Sequence, residues 1–511
     1  MGEVPEGAKL PEAEVATPRP SASVVISRGS GEILLGHRVS ELPAFPDMWS
    51  FPGGGISKID GEALDLNPEF LPEMGDSRLA AFALVREMVE ELGFSPNGDG
   101  GLSLVDEQVR SMVCESKLGW LEAIGSGQID LNGFQCEVIT ERTTPPHGPI
   151  RFHNLFFHVR LEDSLLEPSF PPGKSEFDEF RWWDPCDLIA AWEDDEIRLP
   201  PPIVTLVRDL IEASEIEGSV QGGFAALSSN PPSGRHRFEF APKVECILIP
   251  TATIPPATHT NCYIIGERGG ERIIVDPAAR TEEGLIELMD KIAEIRADNS
   301  VIIGTVFTHK HPDHIGDLAA ISKIYQAPVL ASSETLSVIS TSEDCRALIE
   351  GDSIALQGPS GETIWKVMES HGHCPGQICL IGDSGVICAD NCSLVGTILV
   401  PSSDGDMNQY ISDLYRIREL SPSMLFPGHG PLVANPERLL SRYIDHREER
   451  HNRVLEAVRS GRKRLEEIAK ESYSDTPEAN KMLSEDQTLS HLKSLMKSGL
   501  VSMSDDCYIA V

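Results

Sequence analysis

The chain lacks cysteine pairs of the CxxC kind; its 11 cysteines are scattered at irregular spacings and odd in number. That excludes a disulfide framework and a cysteine-rich zinc finger, and suits reduced thiols. It lacks an apolar run long enough to cross a bilayer, so no membrane partner is expected. Positive charge is scarce: 43 Lys and Arg stand against 80 Asp and Glu, a net charge of −37. Such a field repels phosphate backbones and membrane surfaces in bulk, so any nucleic-acid contact has to be local. The opening stretch, MGEVPEGAKLPEAEVATPRP, lacks the basic start and apolar core of a secretory leader, and it is too acidic for a transit peptide. A cytoplasmic protein is expected. No internal repeat is visible.

What is present is 511 residues with 40% hydrophobic content, enough for several cores. At about 150 residues per domain, that length implies a multidomain α/β chain. Residues 1–19 read as a disordered tail. ASVVISR (Ala22–Arg28) and EILLGHR (Glu32–Arg38) alternate like strands around a GSG turn. RLAAFALVREMVEELGF (Arg78–Phe94) carries helical spacing and stops at Gly93. EGSVQGGFAALSSNPPSGRH (Glu217–His236) is rich in Gly, Ser and Pro, so residues 214–243 are expected to be a linker. Short β-rich runs separated by turns follow up to Asn435. From Pro436 the chain turns helical and closes as helix, strand, Asp-Asp turn and strand, a winged-helix-like pattern over residues 436–511.

The densest chemistry is THKHPDHIGD (Thr308–Asp317), with three histidines and an aspartate between His309 and His314. The preceding VIIGTVFTH is apolar and β-branched, a buried strand. Histidines two apart at a strand end project to one side, and Asp313 and His314 fall on the first turn of a following helix. Three later segments each offer one more donor at a strand-to-loop junction: His373, Asp390 and His429. Imidazole with carboxylate suits zinc, manganese or iron. His371, two residues before His373, is either an outer donor supporting the site or, the favoured reading, an ordinary loop histidine.

This half resembles the metallo-β-lactamase fold, an αββα sandwich of two mixed sheets, over residues 244–435. The resemblance implies a two-metal site. His309, His311 and His373 would hold one ion, Asp313, His314 and His429 the other, and Asp390 would bridge them. It also implies two Zn²⁺ (or Mn or Fe), with Asp313 orienting a hydroxide for attack on phosphorus or a carbonyl carbon. The stretch from LFPGHGPLVANPERLLSRYIDHREERHNRVLEAV is similar to the β-lactamase-like protein 2 group, which includes single-strand endoribonucleases. Single-stranded RNA is therefore the leading substrate class, with a small ester or thioester, as in glyoxalase II-like hydrolases, as the alternative. Arg438, Arg442, Arg447, Arg450, Arg453, Arg459, Arg462, Lys463 and Arg464 form either a phosphate-gripping strip or a helix face of Glu/Arg pairs.

A second cluster lies in REMVEELGF, where Glu87, Glu90 and Glu91 share one helix face. Crowded carboxylates repel unless a cation sits among them, and hard oxygen ligands suit Mg²⁺ or Mn²⁺. With the preceding FPGGG, the run resembles the second half of the Nudix box, G-x5-E-x7-R-E-U-x-E-E-x-G-U. That implies an α/β/α sandwich over residues 20–213 that cleaves nucleoside-diphosphate-linked small molecules. Glu90 and Glu91 would hold the metal, Glu87 would be a ligand or base, and Arg86 would orient them by salt bridge. The first half of the box departs: six residues past Gly55 stands Gly61, then Glu62, and 24 positions separate Glu62 from Arg86. A non-catalytic, nucleotide-sensing Nudix domain therefore stays open. Glu176, Asp178 and Glu179 are either further ligands or surface charge. The reading as a whole is a metal-dependent hydrolase of two domains.

Overall fold

The computed structural model describes residues 15–511 except 43–44, 147, 149, 163–164, 233–237 and 340–343. Of the expected disordered tail, 1–14 lie outside the described residues, and a strand begins at Arg19. The chain divides into two compact units, one of Ala16–Pro242 and one containing Lys243–Val511.

In the first unit, Arg19–Arg28 runs parallel to Phe152–Leu161 over ten residue pairs and is flanked by Ile33–Arg38 on its other side. The alternation in ASVVISR is apolar on both sides. Ala22, Val24 and Ile26 pack with the helix Arg78–Glu87 on one face, and Val25 packs with Pro201–Glu217 on the other. The sheet is thus the middle layer between two sets of helices.

The expected linker is built differently. Pro201–Glu217 ends at Gly218 in the left-handed conformation, and a second helix, Val220–Ser229, starts at once with Ser219 as its cap. Its glycines serve packing: a Cβ on Gly223 would lie 2.4 Å from Ser214 Oγ and 3.1 Å from Leu210 O. Phe224 is buried and stacks on His158 with ring centres 3.7 Å apart. Small residues that look flexible in sequence here let two helices approach.

The second unit holds two mixed sheets. In the first, Val244–Pro250, His259–Ile265 and Glu271–Val275 are antiparallel neighbours, and Val301–Val306, Val329–Ala331 and Cys345–Ala347 continue it in parallel. The second runs Ser353–Gly358, Gly361–Glu369, Ile378–Gly382, Gly385–Ala389 and Leu425–Pro427. The helix Glu282–Ala297 packs Leu288, Ile292 and Ile295 against the first sheet. Met407–Glu419 and Pro436–Arg459 pack against the second. The two sheets touch where Tyr263, within His259–Ile265, packs edge-on to Phe426 and donates to Pro427 O at 2.6 Å. After Pro436–Arg459 come the helices Leu465–Ser472 and Lys481–Lys497 and a hairpin, Val501–Ser504 with Cys507–Ala510. Asp505 and Asp506, both at positive φ, form its two-residue turn.

Candidate metal centre

The strand Val301–Val306 lies between two parallel neighbours and delivers Thr308, His309 and His311 beyond its end. His311 precedes a single helical turn, Pro312–Ile315, with Pro312 at its first position. That turn presents Asp313 and His314 and stops at Gly316, whose φ of +74° suits glycine. His373 lies in the loop after Gly361–Glu369, Asp390 follows Gly385–Ala389, and His429 follows Leu425–Pro427. Glycine is required beside His429: a Cβ on Gly428 would sit 2.4 Å from Asp390 Oδ1 and 2.7 Å from His314 Cε1.

All seven residues expected from the sequence come together, and all but half-buried Asp313 are buried. His311 Nδ1 is 3.0 Å from His373 Nε2, and His314 Nε2 is 3.2 Å from His429 Nε2. Asp390 lies between the two groups. Its Oδ2 is 3.5 Å from His429 Nε2, 3.7 Å from His373 Nε2 and 4.0 Å from His309 Nε2, while its Oδ1 is 3.5 Å from His314 Nε2. Asp313 Oδ2 is 3.5 Å from His429 Nε2.

The outer nitrogens explain why the inner ones converge. His373 Nδ1 donates to Leu399 O and His429 Nδ1 to His259 O, both at 2.9 Å. Thr308 Oγ1 donates to Asp276 Oδ2 at 2.6 Å, so His309 Nδ1 donates to Thr308 Oγ1 at 2.9 Å. His314 Nδ1 donates to the same Asp276 oxygen at 2.8 Å. In their neutral forms these four rings are therefore held as tautomers with Nε2 lone pairs facing the cluster. His311 is turned the other way, with Nε2 3.5 Å from Asp404 Oδ2. Asp276, Thr308 and Asp404 were not foreseen. Asp276 ends the strand-like ERIIVDP, which was the available signal; nothing local marks Asp404.

The charges point to a cation. Burial among other histidines pushes His309 well below its ordinary pKa. Burial acts the same way on His314 and His429, but Asp390 outweighs it: His314 is pushed well up, and His429 up to about 9. Burial opposes the charged form of Asp390 too, yet His429 and His314 hold it well below the carboxylate range. His309 Nε2, Asp313 Oδ2 and Asp390 Oδ1 are buried with no hydrogen-bond partner among the described residues. Orphaned acceptors aimed at one point fit divalent metal ions. His371 faces elsewhere: its Nδ1 accepts from Gly376 N at 2.9 Å, and its Nε2 lies 3.2 Å from Glu369.

The glutamate cluster is organised around Arg86. The guanidinium reaches Asp60 and Glu87 at 2.8 Å and Glu90 at 3.0 Å, and donates to Gly55 O at 3.1 Å. Gly53 N donates to Glu91 Oε2 at 2.8 Å, and a Cβ on Gly54 would lie 2.4 Å from Glu87 Oε1. The helix expected over Arg78–Phe94 is α-helical to Glu87 and widens into a π-turn over Met88–Leu92 before its Gly93 cap. Burial pushes Glu87 up to about 7, Glu90 upward and Glu91 well up. Among the described residues these glutamates do not converge as the histidines do. The partner missed in sequence is Asp60: fully buried, it pairs with Arg86 where Glu62, which is exposed, does not. The available signal was the capping pair Ser57 and Asp60. Glu176, Asp178 and Glu179 pair with Arg38, His37 and Arg181 at 3.3, 2.7 and 2.7 Å.

Five of the nine residues of the basic strip have partners in the structure. Arg447 and Arg450 are buried and donate to Ile398 O and Ser472 O, and Arg450 also pairs with Asp475 at 2.9 Å. Arg453, Arg459 and Arg462 pair with Asp475, Glu456 and Glu471 at 2.8, 2.8 and 3.6 Å. No helix among the described residues is long and apolar enough to cross a membrane.

Comparison with known proteins places this geometry. The chain is 24% identical over 259 residues to the beta-lactamase-like protein 2 homolog of Drosophila melanogaster, covering 48% of this chain and 85% of that protein. It is 24% identical over 204 residues to the atrochrysone carboxyl ACP thioesterase of Aspergillus fumigatus, covering 39% of this chain and 60% of that one. A NUDIX hydrolase structure from Alicyclobacillus acidocaldarius aligns at a TM-score of 0.36 and 20% identity, over 43% of this chain and 100% of that one. The model of the metallo-beta-lactamase superfamily matches residues 255–429, the span from just before His259 to the last of the clustered histidines. This chain therefore carries a metallo-β-lactamase superfamily domain with a buried cluster of histidines and aspartates fitted to divalent metal.

Proposed function

We propose that the second unit hydrolyses an ester or thioester at a two-metal centre. The observation that carries this is the pair of donor sets sharing Asp390: His309, His311 and His373 on one side, Asp313, His314 and His429 on the other. Two divalent cations held there would supply Lewis acidity and a water able to lose its proton near neutral pH. The chain's own contribution is orientation and charge. The Nδ1 donors of His309, His314, His373 and His429 hold four lone pairs inward, and Asp390 balances charge between the sets. Asp313, half-buried at the rim, is the carboxylate placed to hold the proton of the attacking water. Water adds to the carbonyl carbon, and the alcohol or thiol leaves.

A thioesterase name among the relatives supports the ester or thioester reading over RNA, and so does the pairing of Arg450 and Arg453 with Asp475 and of Arg459 with Glu456. For the first unit we propose a Nudix-type diphosphate hydrolase using Mg²⁺ or Mn²⁺, with Glu87, Glu90 and Glu91 facing the ion. The Arg86–Asp60 pair, standing in for the missing early glutamate of the box, supports it.

The test is metal content together with hydrolysis of a thioester panel and a single-stranded RNA, for the wild type and His311→Ala. About two metal ions per chain with thioester turnover, both lost in the variant, supports the reading. RNA cleavage without thioester turnover overturns the substrate. For the first unit, Glu90→Gln that abolishes nucleotide binding but removes no turnover marks a sensing module instead.

A further inference from the structure

The seven ligands expected from the sequence do not include Cys374, the residue after His373. It is fully buried, and one donor atom each of His309, His311, His373 and Cys374 lies within 4.8 Å of the other three. Other buried thiols of this unit keep different company. Cys379, Cys388 and Cys392 pack with Met368, Val386 and Leu414 in an apolar core, where a thiol acts as a small hydrophobe.

Local structure fixes where the Cys374 thiol sits. Cys374, Pro375, Gly376 and Gln377 form a tight turn, closed by Gln377 N donating to Cys374 O at 3.2 Å. Proline second and glycine third, the glycine at φ +83°, is the order a type II turn asks for. The turn is fastened on both sides: Ser370 N donates to Gln377 O and Ile378 N to Thr308 O, each at 2.9 Å. Thr308 directly precedes His309, so the thiol and the first histidines share one backbone frame. A Cβ on Gly376 would lie 2.5 Å from Ser332 Oγ, so the turn is packed closely on that side as well.

A second observation points to a ligand here. His309 Nε2 is completely buried, is turned inward by the Thr308 contact, and has no hydrogen-bond partner among the described residues. A thiol is at best a weak donor to such a lone pair, whereas one cation satisfies the sulfur and the imidazoles together.

We propose that Cys374 is a ligand of the first ion, completing a set with His309, His311 and His373. The sulfur binds as thiolate, its proton passing to solvent, and a soft ligand of that kind favours zinc over manganese. It also divides the labour of the two donor sets. Three histidines leave a zinc position open to water, and a fourth protein ligand closes it. The exchangeable water then belongs to the side of Asp313, His314 and His429, where Asp313 is half-buried at the rim. This rests on the two-metal reading of the cluster, and the test separates the two.

The metal-free full chain is loaded with cobalt(II), and metal content and absorption are measured for the wild type, Cys374→Ser and Cys392→Ser, the last being two residues past Asp390. The wild type is expected to show a sulfur-to-cobalt charge-transfer band in the near ultraviolet. Cys374→Ser is expected to lose that band while keeping visible cobalt bands from the other donor set, and Cys392→Ser to keep it. In metal competition, the preference of Cys374→Ser for zinc over manganese is expected to fall at least about tenfold. X-ray absorption of the zinc-loaded wild type reads the same ligand without any substitution, as a sulfur shell at about 2.3 Å. Cobalt-loaded wild type without the band, a band that survives Cys374→Ser, or an unchanged zinc preference overturns the proposal and leaves the metal centre standing. A chain that takes up neither cobalt nor zinc sinks the two-metal reading and this ligand with it. The band without any ester or thioester turnover keeps Cys374 and sinks only the substrate.

Discussion

The two charged clusters of this chain are built on opposite principles. The histidine cluster gathers donors from several strand ends, and its outer hydrogen bonds turn unpaired lone pairs inward. The glutamate cluster sits largely on one helix, and its negative charge is partly met from within by Arg86. The first needs an external cation to satisfy it, whereas the second already holds an internal one. Both lie beneath a glycine that leaves no room for a side chain, Gly428 in one and Gly54 in the other.

That contrast can be broken most sharply at His311. His311→Ala should lower metal content and cut turnover at least ~100-fold while the apo protein stays folded, read by metal analysis, activity and circular dichroism. Arg86→Met should do the opposite. It leaves buried Asp60 and Glu87 without their cation, and should cost on the order of 3 kcal/mol in urea unfolding of the first unit. Next come the glycines. Gly428→Ala should weaken metal binding roughly 10–100-fold by displacing Asp390, measured by competition with a chelator. Gly54→Ala should displace Glu87 and shift only the Mg²⁺ or Mn²⁺ dependence of the first unit. If Gly428→Ala leaves metal affinity intact, the close fit of the histidine cluster is not what holds the ion.

The smallest effect expected is an opposite pH slope of the two units in the metal-free protein. Glu87 is raised by burial to about 7, so the folded first unit binds more protons than the unfolded chain between its ordinary 4.5 and 7. Its contribution is full below 4.5 and is lost as pH rises through 7. In the second unit Glu245 is buried, but Lys291 and Arg272 outweigh burial and lower it to about 2. Its contribution is full above 4.5 and is lost as pH falls toward 2. Calorimetric melts at pH 5 and 7 should show the first transition falling by an amount on the order of 1 kcal/mol, with Glu87→Gln reducing that slope and the raised Glu90 and Glu91 keeping the rest.

The metal cluster was legible because its donors repeat within six positions, His309 to His314, and each later donor closes a strand-like run. Local pattern carries that information. Of the orienting groups, Asp276 has only the weak signal of a strand-like run before it and Asp404 has none, because both act across folds of the chain rather than along it. Asp60 was passed over because a glutamate was sought at a fixed offset, whereas an aspartate one residue earlier reaches the same guanidinium. The linker reading failed for the reason that makes Gly223 useful: composition does not tell a flexible glycine from a close-packed one. The helix at Arg78 was foreseen, but its widening at Met88 was not, since the residues there have ordinary helical preferences.

Gly316 carries a consequence for how the site exchanges its contents. A Cβ there would strike Ala278 C and Ala279 O, each 2.6 Å away; around it Ala278 N donates to His314 O and Asp317 N to Ala279 O. The turn bearing Asp313 and His314 is thus fastened to the loop bearing Asp276, and neither can lift alone. Release of an ion held by His314 becomes an opening of two backbone segments rather than a side-chain rotation. Such openings are set by local unfolding equilibria, so metal loss to a chelator should keep pace with amide exchange at Asp317.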